Sequence, residues 1–170
     1  MWRKIEEKFY RQKSRAAVAK KMIELGIRIG NDLKLYVGDV AVGDVALARS
    51  LNVDRRVIRK TVNQIMNDDY LRDIFTRITP VGASFVNIAE RLGWSVLVIA
   101  ADPHRPGVIA GVTSILAKYG VVIRQALADD PDLVAEPRLT LIVEGKVPPE
   151  AIDQIKSLDV VKSLTLLKGR

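Results

Sequence analysis

Apolar residues recur along this chain at two different periods, and the rhythm changes at Gly93. From Met1 to Leu25 there is no Gly or Pro. Ile5, Phe9, Ala16, Met22 and Ile23 stand at helical spacing until Gly26, where a helix would stop. One long helix is expected there. Leu33 to Val37 and Val40 to Val42 flank Gly38-Asp39 as a small hairpin. From Asp44 to Asn67 the pattern is helical again. Behind Pro80, the residues Phe85, Ile88, Ala89 and Leu92 predict another amphipathic helix, ended by Gly93.

Beyond Gly93 the order becomes strand, helix, strand, strand, helix, strand. Trp94 to Ala101 is apolar, and Pro106 to Tyr119 carries Val108, Ile109, Val112, Ile115 and Leu116 at helical spacing. Val121 to Leu127 and Arg138 to Val143 read as strands, Pro149 to Leu158 as a short helix, and Val160 to Leu167 as the closing strand. That βαββαβ order is the ferredoxin-like arrangement. The expected fold is α+β in two domains, residues 1–92 and 93–170.

Within the first domain, the stretch from Gly43 to Val62 has the spacing of a helix-turn-helix. Ala48 is small where two helices must cross, Asn52 can take a left-handed turn, and Leu47, Leu51, Val53 and Ile58 supply a shared core. Asp54 is placed to cap the second helix. At about 100° per residue, Arg55, Arg56, Arg59, Lys60 and Asn63 share one arc, and Val57, Ile58, Thr61, Val62 and Ile65 the opposite one. A recognition helix needs that division, because one side must pack while the other offers donors to base edges and phosphates. Arg55 and Arg56, near the helix start, are the expected base readers, with Arg59 and Lys60 on the backbone. With the hairpin beside it, this half is winged-helix-like. An ordinary amphipathic helix with a solvated charged face would show the same division.

Charge favours the first reading. Of 27 Lys and Arg and 20 Asp and Glu, the first 77 residues hold 17 bases and 10 acids, so the net charge of +7 belongs to the N-terminal half. A basic block joined to a neutral one points to a polyanion met by one part of the chain, double-stranded DNA being the first candidate. The bases of the first helix, among them Arg3, Lys4, Arg11 and Lys13, could touch phosphates, simply face water, or belong to a dimer arm.

The turn before the helix of the second domain has its own chemistry. Pro106 suits a first helical turn, Gly107 lets a ligand approach the backbone, and the free N–H groups of Gly107, Val108 and Ile109 favour a carboxylate. Asp102 can balance an ammonium, and His104 can add a further hydrogen bond. The run from Ile99 to Val112, with Arg105-Pro106-Gly107-Val108 at the helix start and Gly120-Val121-Val122-Ile123 at the next strand, resembles the ACT domain over about residues 94 to 168. With Val53 to Val57, Thr79 to Gly82 and Ile123 to Ala126, the chain is similar to a family of prokaryotic ACT-containing regulators of amino-acid metabolism. The resemblance implies amino-acid binding at this turn and at the start of the second strand, usually across a homodimer. There Val122 replaces the polar Asn that amino-acid-binding members often carry. An ACT fold used for dimerisation alone is the competing reading.

No catalytic residue is expected. The single His104 has no Cys to activate, and neither a phosphate loop nor a dinucleotide fingerprint is present. Without Cys, and with Asp129 to Asp132 lacking the alternation of a calcium loop, no metal and no cofactor are expected. The N-terminus resembles no leader, and no apolar run is long enough to span a bilayer, so a cytoplasmic protein without membrane contact is expected. The expected function is a DNA-binding transcriptional regulator whose second domain senses an amino acid. The alternative is a non-catalytic regulatory subunit that binds an amino acid and docks on a metabolic enzyme.

Overall fold

The computed structural model describes residues 1–167, which fold as an α+β chain of two compact units meeting at Gly82 and Ala83. In the first unit the expected long helix is two, α1 (Trp2–Glu7) and α2 (Lys13–Leu25), with Arg11 between them at φ 57°. Burial explains the break. On one straight helix Trp2 and Phe9 would sit about 180° from Val18 and Met22, yet all four are buried. Only a bend turns both apolar faces inward. Gly26, at φ 62°, ends α2 where expected.

A short strand with no clear periodic signal, β1 (Ile27–Ile29), precedes the expected hairpin of β2 (Leu35–Val37) and β3 (Val40–Val42). Val37 pairs with Val40, leaving Gly38-Asp39 as a two-residue turn, and the three strands form one antiparallel sheet. Then come α3 (Asp44–Ser50), α4 (Arg55–Met66) and α5 (Asp69–Phe75). Asp68 caps α5 by accepting from the Leu71 N–H at 3.1 Å. Leu47, Ile58, Val62, Ile65, Leu71 and Phe75 are buried in this unit.

The boundary lies ten residues before the expected one, and the reason is local. The helix expected behind Pro80 is instead two 3₁₀ turns, Val86–Ile88 and Glu90–Leu92. Ala89 between them packs with Val96 and Ile142 of the following sheet, joined by Phe85, Val86 and Trp94. Gln125 ties the segment down, accepting from the Phe85 N–H at 3.0 Å and donating to the Ala83 carbonyl at 2.7 Å. These residues therefore belong to the second unit.

That unit runs β4 (Trp94–Ala101), α6 (Val108–Lys118), β5 (Ile123–Ala128), β6 (Arg138–Glu144), α7 (Pro149–Lys156) and β7 (Val161–Leu167). The sheet is antiparallel with order β5-β6-β4-β7. Leu97, Ile99, Leu141 and Val143 point from it onto Val112, Leu116, Ala151 and Ile155 of the two helices. The period-2 alternation of the strands and the 3.6 period of the helices meet in this one core.

Candidate nucleic-acid interface and ligand turn

Helices α3 and α4 are joined by a tight turn in which Asn52 takes φ 52°, and Ala48 is buried on α3. The Ala48 carbonyl accepts from the Val53 N–H at 3.0 Å. Asp54 caps α4, its carboxylate accepting from the Arg56 N–H at 2.7 Å and from Arg56 Nε at 3.0 Å. The Arg56 side chain, then that N–H, holds the Asp54 carboxyl below its ordinary pKa and raises that of Arg56 in turn. Along α4, Ile58, Thr61, Val62 and Ile65 are buried, while Arg55, Arg56, Lys60 and Asn63 are exposed.

Arg59 departs from the expected backbone-contact role. Its Nε and a terminal nitrogen form a two-pronged pair with both carboxylate oxygens of Asp44, and its other terminal nitrogen donates to the Leu33 carbonyl at 2.9 Å. The Asp44 side chain is 4% exposed, so this guanidinium neutralises a buried charge in the first turn of α3. Arg59 thus joins three segments, the turn between β1 and β2, α3 and α4. Arg55 Nε lies 3.6 Å from the same carboxylate but stays 67% exposed. Arg56 is 84% exposed and paired only with the exposed Asp54, a contact that phosphate can replace at small cost.

The strands of this unit precede α3 and α4, and a helix rather than a hairpin follows α4. Any wing is therefore the β2–β3 hairpin, reached through the Leu33 carbonyl.

In the second unit, a groove of about 530 Å³ lies at the start of α6, lined among others by Asp102, Gly107, Val108, Ile109, Leu139 and Arg138. Helix α6 begins at Val108 rather than Pro106, because Gly107 takes the left-handed φ of 95° as its N-cap, and no side chain caps it. The Asp102 carboxylate accepts from the His104 N–H at 3.0 Å, closing its own turn. Arg105 also lines the groove, with its guanidinium paired to Asp159 at 2.6 Å. Four of the expected ligand residues, Asp102, Gly107, Val108 and Ile109, thus share one groove.

Two do not. His104 lines an adjoining cleft with Glu136 and Lys162, which shares Ala101, Pro103 and Arg138 with the groove. Val122 lies at the opposite end of the sheet, where its carbonyl accepts from the Glu144 N–H at 2.9 Å, and Glu144 pairs with Trp94 while Arg138 pairs with Ala100. Within one copy of the chain, Val122 cannot reach a ligand at Asp102. Among the described residues no group of three or more His, Cys, Asp or Glu is placed to hold a metal, and no helix is long and apolar enough to cross a membrane.

No family model and no curated protein matches the chain. Among solved structures it is similar to a homoserine dehydrogenase from Thiobacillus denitrificans, at 18% identity and a TM-score of 0.37, over 80% of this chain and 30% of that one. It is also similar to the protein PH0061, at 13% identity and a TM-score of 0.27, over 88% of each chain. The chain spans less than a third of the dehydrogenase, and at these scores neither likeness bears on function.

Proposed function

We propose that this chain is a DNA-binding transcriptional regulator whose second unit senses an amino acid. In this reading α3, its turn and α4 are a helix-turn-helix, and the second unit is a ferredoxin-like, ACT-like domain that pairs with a second copy. One observation carries the reading: α4 buries Ile58, Thr61, Val62 and Ile65 on one face and leaves Arg55, Arg56, Lys60 and Asn63 exposed on the other, on the half of the chain that holds the net positive charge. A helix in a groove of duplex DNA needs that pairing of a fixed back and a donor-rich front. The groove at Asp102 and Ile109 supports the sensing role, since it offers a carboxylate for an ammonium beside an uncapped helix start for a carboxylate.

Fluorescence anisotropy with a labelled random duplex tests the DNA reading. Affinity should fall steeply with added salt, and the variant Arg55→Ala, Arg56→Ala should bind more weakly at every salt concentration. Salt-insensitive or absent binding by the folded protein would refute it.

A further inference from the structure

The exposed arc of α4 does not stop at Lys60. Lys60 and Val57 form one wall of a surface groove of about 660 Å³ whose other wall is the elbow between α1 and α2, carrying Arg11 and Lys13. The elbow is bolted to α4. Arg15 donates to Gln12 Oε1 and to Gln64 Oε1, both at 2.8 Å, and Gln64 Nε2 donates to the Lys8 carbonyl at 2.9 Å. Arg11 and Lys13 therefore have a fixed position beside Lys60.

Their charge is only partly offset: Lys60 feels the Asp54 carboxylate, and Glu6 and Glu7 line the neighbouring cleft with Arg11 and Lys13. Elsewhere in this unit Lys8 is paired with Asp68, Lys21 with Glu24, Arg72 with Asp69 and Arg77 with Asp73, while Arg3, Lys4, Lys20 and Arg49, like the elbow bases, enter no ion pair among the described residues but do not line this groove with α4. Among the described residues Arg11, Lys13 and Lys60 take part in no ion pair, and no acid lines the groove. Arg11 rests 5.2 Å from the ring centroid of Tyr10, itself 73% exposed. Three cations from two elements, in an open groove whose Lys60 shares the exposed arc of α4 with Arg56 and Asn63, suit an extended polyanion better than a small enclosed anion.

We propose that duplex DNA held by α4 continues over the α1–α2 elbow, where Arg11 and Lys13 join Lys60 on the phosphates of one strand. The proposal rests on the reading of α4 as the DNA face. It is tested with the full chain and a random duplex, comparing the wild type with R11Q/K13Q, R11K/K13R and Arg55→Ala, Arg56→Ala. Each lost phosphate contact lowers the slope of log affinity against log salt by about 0.9, so R11Q/K13Q should lower it by about 1.8. Between about 50 and 200 mM salt its deficit then shrinks about twelvefold, while R11K/K13R keeps the wild-type slope. Circular dichroism should show both variants folded, since the replaced side chains are exposed.

An unchanged slope in R11Q/K13Q, with binding still weakened by the Arg55 and Arg56 substitutions, overturns the elbow contact and leaves the α4 reading standing. Loss of tripolyphosphate binding in R11Q/K13Q without loss of duplex binding overturns it in favour of a small-anion site. No salt-dependent duplex binding by the wild type overturns both readings.

Discussion

Replacing Arg59 with Ala should unfold the first unit before it weakens any DNA contact. The buried Asp44 carboxylate has two partners, Arg59 through both oxygens and Arg55 at 3.6 Å, and Arg59 alone also holds the Leu33 carbonyl. Breaking a buried pair by removing one partner costs about 3–5 kcal/mol, because the remaining charge stays desolvated. Arg55 offsets part of that, which puts the expected loss near 3 kcal/mol. For a unit of this size, about 4–8 °C per kcal/mol gives a fall of roughly 12–24 °C in its melting temperature.

The two tryptophans allow the units to be followed separately. Trp2 lies in the first and Trp94 in the second, so in a Trp94→Phe background the fluorescence reports on Trp2 alone. Arg56→Ala is the matched control, with the melting temperature expected to stay close to the wild type because its pair is exposed and screened by water. Removing both charges, as Asp44→Leu with Arg59→Met, should recover most of the loss, since no uncompensated carboxylate remains. A shift of under about 1 kcal/mol in Arg59→Ala, or a double variant no more stable than the single, would refute the reasoning.

Gly26→Ala should cost more than about 2 kcal/mol in urea unfolding, because φ is 62° and the new Cβ would meet the Pro80 nitrogen at 2.5 Å. Gly38→Ala, at φ 58° with open space around it, should lose about 1–2 kcal/mol. Asp32 is held at about 2, below its ordinary 3.8, first by the Lys34 N–H and then by the Lys34 ammonium. Its stabilisation is therefore complete above 3.8 and disappears as the pH falls through about 2, and an unfolding series over that window should be flatter for Asp32→Asn. Asp102→Asn keeps the acceptor for the His104 N–H but removes the charge, so calorimetry should show amino-acid binding weakened by about 1.5–3 kcal/mol with the melting temperature unchanged. Equal affinity would make Asp102 a plain turn residue.

Much of the fold was legible because local signals agreed with burial. The second unit is one case: Leu97 and Ile99 alternate inward on β4, while Val112 and Leu116 stand four apart on α6, and both patterns end in the same core. Gly26, Gly93 and Asp54 also act where their chemistry places them. The bend at Arg11 was not legible. No Gly or Pro marks it, and it exists only because Phe9 and Val18 must both reach the interior. Strand β1 escaped for a different reason, since three residues are too few to show a period.

The site failed to be legible at one specific point. Helical periodicity sorts α4 into two faces, and in doing so places Arg59 with Arg55 and Arg56 as if the three were equivalent. Their partners differ: Arg56 meets a carboxylate that is 55% exposed, Arg59 one that is 4% exposed. An exposed pair exchanges readily with water or phosphate, whereas a buried one can be opened only by leaving a charge in the interior. Asp44 lies fifteen residues from Arg59, across a turn whose geometry no periodicity encodes. The polar face of a recognition-like helix is thus divided a second time by its tertiary partners. On α4 that division leaves Arg56, Lys60 and Asn63 exposed, leaves Arg55 shared, and assigns Arg59 to holding the helix in place.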